Sequence, residues 1–178
     1  RLEYLLSQAE RQTRQALEPF GYYNPVIKVE APREDEHVRV LIHVDKGTPV
    51  TVRREHIDIT GPAMYDQYLQ DDLAAFKPRK GQRFEHTQYE ASKITITRRL
   101  AERGYFDADY TQRQVQITRA DNAADIDLTW DSGRRYNMGP VRFEQDYFVD
   151  KLFDPLVYWE QGSYFHEGKL DRLRESLT

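Results

Sequence analysis

The stretch "LAERGYFDADYTQRQVQIT" at residues 100–118 decides the fold, because it joins a helix to a strand through a glycine. The apolar spacing before it predicts a helix that ends at Gly104, where a left-handed residue is favoured. Two aromatic residues and a polar turn follow, and the run after them has the composition of a strand. The same junction stands earlier, as "ALEPFGYYNPVIKVE" at residues 16–30, with Gly21 in the position of Gly104.

Further matches follow the two junctions in the same order, which indicates an internal repeat. "DKGTPVTVRREHI" (45–57) aligns with "DSGRRYNMGPVRF" (131–143), and "YDQYLQDDLAAF" (65–76) aligns with "FVDKLFDPLVYW" (148–159). The spacing between matched residues is nearly constant, as expected when insertions are confined to loops. The repeat therefore predicts that one structural unit occurs more than once.

The middle copy contains the whole predicted unit, in the order strand, helix, helix, strand, strand. "REHIDIT" is a strand, two helical patterns follow it, and "YTQRQVQIT" forms a hairpin with "ADIDLTW". Ile126, Leu128 and Trp130 are predicted to point inward from that hairpin.

The first copy is predicted to hold only a helix and a hairpin. In the hairpin, alternation predicts a continuous strand at residues 37–45 whose buried face carries Val38, Val40, Ile42 and Val44. We therefore predict three segments: residues 1–46 as the C-terminal half of a first unit, 47–134 as a complete second unit, and 135–178 as the N-terminal half of a third.

Composition limits the class of protein. The chain has 178 residues, 39% of them hydrophobic, which is enough apolar material for a folded core. Its net charge of −4 argues against a dedicated binder of nucleic-acid phosphates. Cysteine is absent, so disulfides and cysteine-ligated zinc are excluded.

No pattern of catalytic, cofactor-binding or metal-ligating residues is found. None of the histidines has the spacing of a zinc motif, and phosphate-binding glycine loops and nucleophile elbows are missing. "RGYFDADY" at residues 103–110 faintly echoes an RNA-binding signature. However, Tyr105 and Phe106 are adjacent, so they point to opposite faces of a strand and form no stacking platform. We expect no enzyme activity, no cofactor and no nucleic-acid partner.

The repeated strand–helix–helix–strand–strand unit, with its "GYF" junction, resembles a POTRA (polypeptide-transport-associated) domain. "LAERGYFDADY", "IDLTWDSGRRYNMGPVRFE" and "GSYF" are similar to the TamA family, the outer-membrane subunits of the translocation and assembly module. The fold class implied is α+β, in tandem POTRA units whose three-stranded sheet is covered by two helices. Two departures are Gln145, which replaces a family glycine, and Pro155, which should kink or shorten a helix.

The resemblance also implies a function, a location and partners. It implies a periplasmic scaffold of a Gram-negative outer-membrane protein, followed by its own C-terminal β-barrel. The implied partners are outer-membrane or autotransporter client polypeptides and an inner-membrane-anchored, TamB-like protein. Alternatives are the POTRA pair of a two-partner-secretion transporter and, in a different class, an RNA-binding or regulatory α+β module.

The candidate binding residues form one predicted edge strand. An edge strand with unpaired backbone groups can accept an extended polypeptide by β-augmentation. Polar side chains suit a solvated edge, and an edge merely kept soluble by them is an equally good interpretation. The predicted edge comprises Thr111, Gln112, Arg113, Gln114, Val115, Gln116 and Ile117.

The candidate junction residues lie between units. Pro49, Val50, Arg135 and Tyr136 are expected to pack where consecutive units meet, in short segments that Gly and Pro make semi-rigid. Gly21 and Gly104 are expected to be structural turn residues.

Overall fold

The computed structural model describes residues 2–34, 37–146 and 150–178. Four α-helices and seven strands occur in these ranges, together with short 3-10 turns. The helices are α1 (Leu2–Leu17), α2 (Gln67–Ala74), α3 (His86–Glu102) and α4 (Glu167–Ser176). The strands are β1 (Val26–Glu30), β2 (Arg33–Glu34), β3 (His37–Val38), β4 (Leu41–Asp45), β5 (Thr51–Thr60), β6 (Asp109–Thr118) and β7 (Ala123–Asp131).

The middle of the chain has the predicted order β5, α2, α3, β6, β7, and its three strands form one sheet in the order β5–β7–β6. The Thr51 N–H donates to the Asn122 carbonyl, and the Ser132 N–H donates to the Thr60 carbonyl. The first residues of β5 and β7 are therefore neighbours, and so are their last residues, which means that the two strands run parallel. A tight turn through Asn122, in the left-handed region, joins β6 to β7. The predicted α+β class is confirmed.

The chain forms two compact units, unit 1 and unit 2, each defined by the contacts among its own residues. Unit 1 comprises Arg1–Ile57, Phe76–Lys93 and Gln114–Asp127. Its core combines four aromatic residues with aliphatic residues in or beside β1, β5 and β7. Its buried apolar side chains are Tyr23, Ile27, Val50, Val52, Phe76, Phe84, Tyr89, Ala123, Ala124 and Ile126.

Unit 2 comprises Asp58–Ala75, Ile94–Arg113 and Leu128–Thr178. Leu69 and Leu73 lie one turn apart on α2, and Ile96 and Leu100 do the same on α3, so each helix has one apolar face. Its other buried apolar side chains are Ile59, Ala63, Tyr105, Leu128, Trp130, Met138 and Leu173. The inward direction predicted for Leu128 and Trp130 in this unit, and for Ile126 in unit 1, is thus observed.

The predicted buried face of the first hairpin is wrong. The segment at residues 37–45 is two short strands, of which β3 pairs with β2 and β4 pairs with β1. Val38, Val40, Ile42 and Val44 are each 42–49% exposed. The physical reason is that α1 packs against β1, and one helix with two strands encloses too little volume to cover the remaining apolar surface.

The segment after residue 135 also departs from expectation. Its predicted first strand forms only an isolated bridge between Asn137 and Tyr164, because no neighbouring strand in the described residues extends the pairing. The predicted helix around Pro155 is replaced by 3-10 turns at Asp150–Leu152 and Asp154–Leu156. Phe148, which the repeat aligned with Tyr65, lies outside the described residues.

Candidate polypeptide-binding edge

Strand β6 contains all seven residues of the predicted edge and lies at one end of the three-stranded sheet. Its inner edge pairs with β7, and no strand among residues 2–34, 37–146 and 150–178 pairs with its outer edge. Thr111, Gln112, Arg113, Gln114 and Gln116 are exposed, whereas Val115 and Ile117 are half-buried. The strand therefore presents backbone donors and acceptors beside a short apolar stretch.

Val115 and Ile117 form one wall of an apolar hollow in unit 1, which we call the edge hollow. Its other walls come from Tyr23, Phe84, His86, Tyr89 and Glu90, and its volume is about 250 Å³. This is smaller than the roughly 300 Å³ at which pockets for small molecules begin, so the hollow suits a single side chain.

Tightly packed rings form the floor of the edge hollow. The Phe84 ring lies 5.2 Å from His86 and 5.7 Å from Tyr89, measured between centroids. The Tyr23 hydroxyl is hydrogen-bonded to His86 Nε2 at 2.5 Å. Burial, with a smaller contribution from Glu18, raises the pKa of Tyr23, so this phenol stays protonated at neutral pH.

Gln114 and Gln116 face a second hollow, on the opposite side of the sheet in unit 1, and the residues that line it are polar or charged apart from Ile126. Asp125 lies 2.6 Å from Arg53 and 3.3 Å from Arg54, and His56 lies 3.1 Å from Asp127. The hydrogen bonds from Arg53 and then Arg54 hold the pKa of Asp125 well below its ordinary value. These paired charges are typical of a solvated sheet face.

The first glycine junction is a ladder of backbone hydrogen bonds within unit 1. The Val50 N–H donates to the Gly21 carbonyl at 2.7 Å, and the Phe84 N–H donates to the Val50 carbonyl at 2.8 Å. Val50 is fully buried and Pro49 is half-buried. Gly21 has φ +88°, and a Cβ there would meet the Phe84 carbonyl oxygen at 2.7 Å. Glycine is thus required by both the backbone angle and the close approach.

The second junction repeats this ladder within unit 2. The Tyr136 N–H donates to the Gly104 carbonyl at 2.8 Å, and the Phe165 N–H donates to the Tyr136 carbonyl at 3.0 Å. Gly104 also has φ +88°, and a Cβ there would meet the Phe165 Cβ at 2.8 Å. The recurrence of the junction in the sequence therefore reflects one hydrogen-bonded geometry that occurs twice.

Aromatic residues close the second junction. The Phe106 ring lies 4.7 Å from Phe165 and 5.3 Å from Tyr136. Tyr105 is 3% exposed and Phe106 is 51% exposed, so the two adjacent rings have different environments. Arg135 and Tyr136 are both half-buried here, and the Arg135 Nε donates to the Arg103 carbonyl.

Unit 2 also contains a charged cluster that the sequence does not predict. Asp66 accepts the Tyr68 N–H as the N-cap of α2 and lies 2.6 Å from Arg103 and 3.8 Å from Arg135. An Asp just before a helix is a recognisable cap signal. No sequence signal indicates that two arginines would converge on it, because they come from distant segments.

The described ranges contain no group of three or more His, Cys, Asp or Glu residues placed to hold a metal ion.

None of the helices in the described part of the chain is long and apolar enough to cross a membrane.

Two family models match the chain. "POTRA domain TamA domain 1" matches residues 1–46, and the POTRA model "Surface antigen variable number repeat" matches residues 52–132. Between them they account for most of the sequence, and the second spans the sheet that carries β6.

Solved structures of POTRA domains also resemble the chain. POTRA domains 3–5 of BamA from Haemophilus influenzae align with a TM-score of 0.51 and 22% identity, over 94% of this chain and 67% of that one. The N-terminal domain of Omp85 from Thermosynechococcus elongatus aligns with a TM-score of 0.40 and 15% identity, over 96% and 70%. The similarity to the BamA domains supports the POTRA fold, whereas the similarity to Omp85 is too low to add support. The chain therefore belongs to the POTRA family and carries two POTRA segments in tandem, a TamA-like one at residues 1–46 and a second at residues 52–132.

Proposed function

We propose that the chain is a periplasmic scaffold that binds extended client polypeptides at the outer edge of β6. The single observation that carries this proposal is the outer edge of β6, which pairs with no strand in the described part of the chain and lies beside the edge hollow. An incoming strand would pair with β6 through backbone hydrogen bonds, which are independent of client sequence. Such binding suits a protein that holds many different unfolded clients.

The edge hollow should make this pairing selective for clients with a large apolar side chain at one position. Alternate side chains of a bound strand point to opposite faces of the sheet. One set would face Val115 and Ile117, and one large apolar side chain of that set would enter the hollow. The other set would face the charged side, where Arg54 and Asp125 are already paired. Clients with alternating apolar and polar residues, the pattern of barrel strands, fit this arrangement.

Family membership supports a further proposal for the organisation and partners of the scaffold. We propose the division at residues 46/47 and 134/135, with the glycine junctions setting the spacing between consecutive POTRA copies. The proposed partners are outer-membrane or autotransporter clients, an inner-membrane-anchored TamB-like protein, and a β-barrel of the same polypeptide. The proposed role is to position clients and requires no catalytic residue.

The backbone test uses a short synthetic peptide in which Thr alternates with Val and Phe. We expect it to bind the chain in isothermal titration calorimetry. N-methylation of every second amide removes the donors along one edge of the peptide, so one methylated series should lose binding while the other retains it. Equal binding by both series, or equal loss in both, would contradict β-augmentation. Tighter binding of an RNA oligonucleotide than of the peptide would favour the RNA-binding alternative.

The contribution of the edge hollow can be tested by substituting two adjacent residues of β6 whose side chains lie on opposite faces of the sheet. We expect Ile117→Lys to weaken peptide binding about tenfold, since it places a charge in an apolar site at a cost above ~1 kcal/mol. Gln116→Lys adds the same charge on the polar face and should change the affinity less than about twofold. Equal effects of the two substitutions would show that the hollow does not contribute.

A further inference from the structure

Unit 2 contains a second concave site, which we call the tyrosine hollow. Its volume is about 360 Å³, and Tyr65, Tyr68 and Tyr164 form its exposed rim. Its charged residues are Asp66, Arg103 and Arg135, and the other side chains that line it are uncharged. Neither the edge strand nor the glycine junction requires such a combination.

The charges in the tyrosine hollow do not balance. One carboxylate faces two guanidinium groups, and the side chains of Asp66, Arg103 and Arg135 are only 4%, 13% and 17% exposed. Arg103 takes the short contact with Asp66, at 2.6 Å. Arg135 lies 3.8 Å from the same oxygen, which is too long for a hydrogen bond. One positive charge is therefore left in a partly desolvated site.

Arg135 is fixed by two contacts that leave its terminal N–H groups available. Its Nε donates to the Arg103 carbonyl at 2.9 Å, and its guanidinium lies 4.3 Å from the centroid of the Tyr164 ring. Within residues 2–34, 37–146 and 150–178, its terminal nitrogens form no hydrogen bond, and the nearer contact with Asp66 is 3.8 Å long. Because this guanidinium is already fixed, its side chain loses little conformational entropy when it binds an anion.

We propose that the tyrosine hollow binds the carboxylate of an acidic side chain in a partner polypeptide. A carboxylate matches the planar fork of Arg135 and would neutralise the excess charge. The exposed tyrosines would pack against apolar residues on either side of that acid, as Tyr and Arg do at the centres of protein interfaces. This rim favours a polypeptide over a free anion. The proposal rests on unit 2 alone and is independent of binding at β6.

The test uses an acetylated, amidated peptide in which Glu stands between two Leu residues, and its counterpart with Gln in place of Glu. In calorimetry on the 178-residue chain, the Glu peptide should bind about tenfold more tightly than the Gln peptide. Arg135→Gln should remove this difference. The matched control is Arg134→Gln, because Arg134 is the adjacent residue, carries the same charge and is 75% exposed outside the hollow.

A second variant keeps the test decisive if Arg135→Gln lowers stability. Tyr164→Ala removes an exposed ring, so the fold should persist while affinity for the Glu peptide falls about threefold. Equal weakening by Arg134→Gln and Arg135→Gln, equal affinity for both peptides, or no binding of either would overturn the proposal. Competition by inorganic phosphate at concentrations equal to the peptide would show a simple anion site, which would also overturn it.

Discussion

At the scale of single residues, two left-handed glycines of unit 2, one inside the second glycine junction and one outside it, distinguish backbone strain from steric contact. Gly104 and Gly162 have nearly the same left-handed φ, +88° and +84°. A Cβ at Gly104 would meet the Phe165 Cβ at 2.8 Å, whereas a Cβ at Gly162 would meet nothing within 4 Å. The pair therefore isolates the contribution of close packing at the junction.

We expect Gly162→Ala to destabilise the chain by about 1 kcal/mol, the cost of a left-handed alanine. Gly104→Ala should cost roughly 2–4 kcal/mol, because overpacking against Phe165 adds to that strain. Denaturant unfolding monitored by circular dichroism measures both values. Equal losses in the two variants would mean that the junction accommodates a methyl group without displacement.

Asp125 predicts a dependence of stability on pH. Its pKa is lowered in the folded state, so it contributes stability above its unfolded pKa, near 3.8, and loses that contribution as the pH falls through the folded value. Asp125→Asn should therefore be less stable than wild type at pH 7, and the gap should narrow below about pH 4. Thermal melts across this range provide the measurement. A gap that stays constant with pH would contradict the Arg53 and Arg54 hydrogen bonds.

At the scale of elements, the two strands of the first hairpin differ in burial: β1 contributes to the core, whereas β4 is exposed. Ile27 on β1 is 8% exposed and Ile42 on β4 is 45% exposed, although both are isoleucines in the same two-stranded sheet. Ile27→Ala should cost about 2–5 kcal/mol, whereas Ile42→Ala should cost less than about 1 kcal/mol. Urea unfolding of the two variants tests this. Similar losses would show that the β4 face is covered in solution.

At the scale of the whole molecule, the junctions should act as semi-rigid connectors. The ladder through Gly104, Tyr136 and Phe165 fixes the second junction by backbone bonds that need no particular side chain. Replacing "SGRRYNMGP" (132–140) by a longer Gly/Ser linker removes this ladder. We expect small-angle X-ray scattering to show a larger and more variable maximum dimension. An unchanged scattering profile would contradict a semi-rigid junction.

Much of the architecture was determined locally by the sequence. Helical spacing, β alternation and the left-handed glycines depend on neighbours within a few residues, so they predicted α3, the β6–β7 hairpin and the strand–helix–helix–strand–strand order. The repeated unit and its "GYF" junction resembled the POTRA family before any contact was known. The polar composition of β6 suggested a solvated strand, and its use as a binding edge stays a prediction.

Tertiary structure decided what depends on distant segments. The exposure of Ile42 and Val44 reflects how much surface α1 can cover, which alternation cannot measure. The edge hollow needs Tyr23 beside His86, and the tyrosine hollow needs Asp66 beside Arg103 and Arg135. Burial and the pairing of charges arise from the summed packing of separate segments. Periodicity within a single segment therefore predicts the elements but not the sites formed where they meet.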